Sequence, residues 1–229
     1  MVNETDRALQ DDAGSASDAE RSLALSYAPA AARAGLEALF ALDATLGAIL
    51  KTTREPVVGQ MRLTWWYEAL GRLDSAPPPA EPTLRALAST VVPHVAGSAL
   101  AQITEGWEAL LAQPLDDAAV GQFASRRGGA LFGAAARILG VEDSRITVAG
   151  EGWALADLAG RLSDPARASL IAAQARERLD VALTGRWPRG ARALGALAVL
   201  AREDVAPTRR PPGRPARVGR LLLPRVVGY

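Results

Sequence analysis

Between Ala31 and Thr52 the large apolar residues Leu36, Leu39, Phe40, Leu46, Ile49 and Leu50 fall at helical spacing, and no strand-like alternation occurs anywhere in the chain. That pattern restricts the fold to packed helices. Composition agrees, since 49% of the 229 residues are apolar and only 5% aromatic, with Ala and Leu dominant. The chain is long enough to bury a sizeable core, and no break in composition divides it, so the sequence predicts one all-α domain.

Prolines and glycines punctuate the helical pattern. Ala28-Pro29 breaks the chain before the first long helix, and Pro56 stands where a first-turn proline loses no hydrogen bond, opening a helix to about Leu73. The proline-rich stretch from Ser75 to Pro82 reads as a loop. A helix or a helix pair follows from Thr83 to Leu111, interrupted near Pro93. Asp116 and Asp117 read as caps for a helix over 118–139, in which Gly128-Gly129 and Gly133 point to close packing. Further helices are expected over 148–162, 166–184, behind Ser163-Asp164-Pro165, and 192–201.

The ends differ from the middle. Residues 1–20 carry six acids against Arg7 and lack apolar periodicity, so they read as a disordered acidic arm, with order beginning near Arg21. Residues 21–203 form the expected helical domain. Residues 204–229 form an Arg/Pro-rich segment, extended over 208–216 with a short apolar element over 218–227; it could touch anionic lipid, nucleic acid or the acidic start, and a solvated end is the default.

Several chemistries are excluded outright. Without cysteine there is no disulfide, thiolate metal site or Cys nucleophile, and with His94 alone there is no multi-histidine metal site. Lys51 is the single lysine among 26 basic residues, which a coding bias toward arginine explains. The start has no basic region followed by an apolar run, and the uncharged window 86–104 is too polar to span a membrane. The expectation is a cytoplasmic protein, peripheral to the inner membrane if the basic tail touches lipid.

The pattern Glu55-Pro56-x-x-Gly59-x-x-Arg62-Leu63-x-Trp65-Trp66, preceded by Ala38-Leu39-Phe40-Ala41-Leu42, resembles the squalene/phytoene synthase family. Weaker echoes are Ser26-Tyr27-Ala28-Pro29, the segment from Phe123 to Gly129, and Gly152-Trp153-Ala154-Leu155-Ala156-Asp157. The resemblance spans roughly 21–201 and implies a shortened, single-domain, helical isoprenoid-synthase-like fold. It also implies a reaction in which two prenyl diphosphates join head to head, with aspartates on facing helices holding Mg²⁺ against the diphosphate leaving group.

This chain departs from that pattern at the acids. Gly47, Ala48 and Lys51 stand where the first aspartate cluster should be, and Arg161 stands near the second. The likeness is therefore to a branch without aspartate clusters that includes a mitochondrial assembly factor for respiratory complex I. It implies a catalytically degenerate binding or assembly-type protein needing no cofactor, with a protein partner or an isoprenoid or lipid ligand, and with no nucleic acid expected. The alternative is an active Mg²⁺-dependent prenyltransferase in which displaced acids, Asp43, Asp157 and Asp164, supply the metal ligands. A third reading is a helical module docking on membranes through its basic C-terminal segment.

Candidate substrate-binding residues are Arg62, Trp66, Arg126 and Arg127. Arg62 could equally pair with Glu55 or Glu68, and at most one of Trp65 and Trp66 can face a cavity, because successive helical residues point about 100° apart. For Arg126-Arg127 a charged helix face is the default against an anion pocket, and Asp157 with Arg161 reads as a helical ion pair. Glu177 and Asp180 read as a solvated acidic face.

Overall fold

The computed structural model describes residues 16, 18–53, 55–208, 212, 213, 217 and 219. Most of the acidic arm and of the apolar element expected over 218–227 lies outside these residues. Helix α1 covers residues 18–25, so regular structure begins slightly ahead of Arg21. Two contacts account for the earlier start: Arg21 pairs with Asp18 one turn back, and the Glu20 carboxylate is buried against Arg217.

The long helix α2 runs from Ala30 to Thr52, and its buried row includes Leu36, Leu39, Phe40, Leu46 and Ile49, as the apolar spacing requires. One polar residue, Asp43, is buried within that row. Helix α3 (Pro56–Arg72) begins with proline in its first turn and packs mainly on α5 (Gly97–Ala109). Between them α4 (Pro82–Thr90) is capped by the Glu81 carboxylate, and the turn after it contains Pro93. The break expected in 83–111 therefore separates two helices.

The helix expected over 118–139 is continuous but not uniform. Asp116 caps α6 (Asp117–Gln122), a π-helical turn follows over Phe123–Gly129, and α7 (Ala130–Leu139) ends at Gly140 in the left-handed conformation that favours glycine. Helix α8 (Ser144–Ala159) starts four residues earlier than the apolar pattern indicates, because Asp143 caps it there. Asp164 and Pro165 open α9 (Pro165–Ala182) as expected, and α10 (Arg192–Asp204) runs three residues past Ala201. No strand occurs among the described residues.

The core is one continuous apolar cluster drawn from α2 through α10. Its tightest seam joins the π turn to α8. A Cβ on Gly128 would lie 2.1 Å from the Gly150 carbonyl oxygen, and one on Gly150 would lie 2.2 Å from that of Gly128. Only glycine at both positions lets the two backbones touch. This seam sets the distance between Arg127 and the far end of α8.

Candidate functional site

Helices α1, α2, α5, α8 and α10, with the π turn and Arg217, enclose a cavity of about 390 Å³. Along α2 the residues Asp43, Ala44, Gly47, Ala48 and Lys51 face it, at the spacing of one helical face. Opposite stand Trp153, Ala156 and Asp157 of α8, with Arg161 just beyond its end. Small side chains along α2 leave the space open. Leu197, Leu200 and Ala201 of α10 supply an apolar wall.

The floor of the cavity is an ionic cluster around Arg127. Its Nε and Nη2 donate to the two oxygens of Asp43 at 2.7 and 2.8 Å, and its Nη1 donates to Asp157 Oδ2 at 2.7 Å. Trp107 Nε1 donates to Asp43 Oδ1 at 3.0 Å, while Arg161 Nε donates to Asp157 Oδ1 at 2.9 Å. The Arg127 guanidinium lies over the Trp107 ring at 4.2 Å and the Trp153 ring at 4.5 Å, so aromatic faces cover it as well. Its residue exposure is 2%.

Electrostatics follow from that burial. Loss of solvent favours a neutral Arg127, but the fields and hydrogen bonds of Asp43 and Asp157 outweigh it and raise the guanidinium pKa. For Asp157, burial favours the protonated acid, and Arg127 and Arg161 overcome it, holding the carboxyl below its ordinary range. Arg127 and Asp157 are therefore charged at neutral pH.

At the rim a second cluster joins distant parts of the chain. Arg217 Nε donates to Glu20 Oε2 and its Nη1 to Asp204 Oδ1, both at 2.8 Å, and the Gly213 N–H donates to Glu20 Oε1. The C-terminal segment is thus bound to Glu20, the last residue of the acidic start, and at Arg217, which is buried, this corrects the reading of a solvated end. Lys51, by contrast, is exposed at the cavity edge.

The sequence-based candidates separate sharply. Gly47, Ala48, Lys51, Asp157 and Arg161 do share one cavity. Asp43 and Asp157 face one another there, bridged by Arg127, while Asp164 lies outside it as the cap of α9. Arg62 donates to Thr53 Oγ1 and does not line the cavity; Glu68 pairs with Arg72 instead. Trp66 is 6% exposed and in the core, and Trp65 is 47% exposed.

The two adjacent arginines have opposite fates. Arg126 belongs to a surface, bonded to Gln102 and Glu105, which fits the charged-face reading. Arg127 corrects that reading: it is buried, and its bonds to two acids leave no fork free to grip a phosphate. Arg161 pairs with Asp157 as the spacing indicated, Asp180 is taken by Arg202, and His94 is exposed in the turn after α4.

Sequence reasoning missed Trp107, Glu20, Asp204 and Arg217 as cavity residues. One signal was available: Asp43 is an acid inside the apolar row of α2, and such an acid needs a buried cation.

A helical bundle that encloses a cavity at the meeting of α2 and α8 has the architecture of an isoprenoid-synthase-like fold. A family model for squalene/phytoene synthase matches residues 15–164, and the chain belongs to that family. No curated protein and no solved structure matches it.

The family implies Mg²⁺, so the donor set bears on whether that ion fits. Every carboxylate oxygen of Asp43 and Asp157 already accepts from arginine. Among the described residues no group of three or more His, Asp or Glu side chains is placed to hold a metal. The residues present do not fit Mg²⁺, which needs open carboxylate oxygens.

Proposed function

We propose that this protein is a catalytically degenerate squalene/phytoene synthase-family member that acts as a binding or assembly-type factor, requires no metal cofactor and performs no condensation. The observation that carries this reading is the Arg127 guanidinium between Asp43 and Asp157, where a diphosphate-ionising site would need unoccupied carboxylates. Gly47, Ala48 and Lys51 on the opposing wall add no acid.

The retained cavity suits binding of an isoprenoid or lipid, and the same scaffold could serve a protein partner in assembly of a respiratory complex. Among the described residues no helix is long and apolar enough to cross a membrane, which is compatible with a cytoplasmic site of action or peripheral contact. A Mg²⁺-dependent head-to-head prenyltransferase is the second reading. It has one observation in its favour, the cavity with carboxylates on facing helices.

The deciding experiment incubates purified protein with farnesyl or geranylgeranyl diphosphate and Mg²⁺ and measures diphosphate release. The expected result is none above the protein-free rate. Sustained turnover, lost in a folded Asp157→Asn variant, would refute the non-catalytic reading and establish the alternative.

A further inference from the structure

A second pocket, of about 430 Å³, opens where the turn between α1 and α2 meets the start of α10, and it shares no residue with the cavity around Arg127. Its charge is one-sided. Arg33 in the first turn of α2, Arg189 in the short helical turn Arg189–Ala191, and Arg192 at the start of α10 all line it, with no Asp or Glu among its described lining residues.

Arg33 is set for this pocket by its hydrogen bonds. Arg72 and Arg161 each pair with an acid one helical turn away, but Arg33 does not pair with Glu37 at the same separation. Its Nε donates instead to the Ala28 carbonyl and its Nη2 to that of Ser26, both at 3.1 Å. These two bonds fix the guanidinium across the α1–α2 turn and leave three of its five N–H donors unused among the described residues. Carbonyl groups carry no charge, so the cation stays uncompensated. Arg189 makes no hydrogen bond or ion pair among the described residues.

The backbone adds charge of the same sign. The 23-residue helix α2 starts behind Pro29 with no side chain capping it, and its first residue, Ala30, lines the pocket. Planar guanidinium forks match the oxygens of a phosphate, and a phosphomonoester brings a charge of about −1.5 to −2 at pH 7 against the three arginines. The pocket is larger than a bare phosphate and of a size that holds small organic molecules, with Tyr27 on its wall.

We infer that this pocket is a binding site for phosphomonoesters, in which Arg33, Arg189 and Arg192 grip the phosphate and Tyr27 borders the organic group that carries it. A bound phosphate would tie the α1–α2 turn to the start of α10. The site is separate from the cavity, so it stands whether or not the cavity retains chemistry.

The experiment titrates the full chain, in phosphate-free buffer at neutral pH, with inorganic phosphate and with ribose 5-phosphate by calorimetry. A parallel flotation uses phosphatidylcholine vesicles with and without phosphatidic acid, whose headgroup is the same phosphomonoester on a lipid. One site per chain is expected, and a hundredfold excess of ligand over Kd should raise melting by about 5–10 °C. Arg33→Gln and Arg189→Gln should each weaken binding about tenfold to a hundredfold, as loss of one charged hydrogen bond requires. Should Arg33→Gln loosen the turn it spans, Arg189→Gln isolates the anion contact. Lys51→Gln, at the edge of the other cavity, should bind as wild type does.

Binding of either soluble probe that falls in Arg189→Gln supports the inference with a free phosphate ester as ligand. Flotation that needs both phosphatidic acid and Arg189 supports it with a lipid headgroup as the source. Absence of binding in both arms overturns it, as does binding that survives Arg33→Gln and Arg189→Gln or is lost in Lys51→Gln.

Discussion

Replacing Gly128 with alanine tests how the site is held together. The added Cβ would stand 2.1 Å from the Gly150 carbonyl oxygen and 2.7 Å from the Ala154 Cβ, whereas ordinary contact begins at about 3.5 Å. Backbone atoms cannot rotate away, so the π turn and α8 must part by roughly 1.4 Å. Arg127 moves with its neighbour, and its 2.7 Å bond to Asp157 stretches to roughly 4 Å, beyond hydrogen-bond range.

Overpacking contributes about 1–3 kcal/mol of destabilisation, and the weakened charged hydrogen bond about 1.5–3 kcal/mol. Together they amount to about 2.5–6 kcal/mol, a large part of the total stability of a domain. At about 2–4 °C per kcal/mol for a chain of this length, Gly128→Ala should melt about 5–24 °C below wild type by circular dichroism. Gly133→Ala is the control, because a Cβ there meets nothing within 4 Å, and helix propensity should make it slightly more stable. A Gly128→Ala protein that melts within about 2 °C of wild type would refute the account of the seam.

Asp43→Asn leaves Arg127 short of a counter-charge and should lower stability in urea unfolding by about 3 kcal/mol, whereas Asp43→Asn/Arg127→Met/Asp157→Asn, with no charge left in the cluster floor, should return to within about 2 kcal/mol of wild type. A triple variant as unstable as the single one would show that buried charge is not the cause. Asp74 accepts the backbone N–H groups of Ser98 and Gly97 at the start of α5, which hold its pKa below the ordinary value. Its stabilisation is therefore complete above the unfolded pKa of about 3.9 and fades as pH falls through the lower folded value. Asp74→Ala should accordingly lose about 0.5–1 kcal/mol at pH 7 and converge on wild type in acid; a gap that widens in acid would reverse the sign. Trp66→Ala should cost about 3–5 kcal/mol and Trp65→Ala about 1 kcal/mol, the latter mostly the edge contact between the two rings, as read from chemical denaturation.

Local pattern revealed the helices because each rule acts over a few residues. The α2 row, Pro56 in a first turn and the Asp164-Pro165 opening of α9 needed no partner to be recognised. The placement of Gly47, Ala48 and Lys51 opposite Asp157 and Arg161 followed from family register. Pairing across the fold left no such trace. Asp43 and Arg127 are 84 positions apart, and nothing near either residue names the other.

Arg126 and Arg127 illustrate the limit most clearly. Side by side in the sequence, they read alike, yet one faces solvent and the other is sealed under two indoles. Which of them turns inward depends on the π turn and on the glycine contact with α8, both settled by tertiary packing. Arg62 and Trp66 show the complementary point. They belong to the motif that marks the family, but their side chains serve the α2–α3 turn and the core, so the residues that announce kinship are not those that shape the cavity.

The bonds from Glu20 to Arg217 and Gly213 bring sequence positions nearly two hundred residues apart to one opening. A reporter inserted directly beside Glu20 or Arg217 would stand at the entrance to the cavity and share space with whatever enters. Insertion into the exposed loop around Pro78, whose residues line none of the cavity, would leave that entrance clear for measurements of ligand uptake.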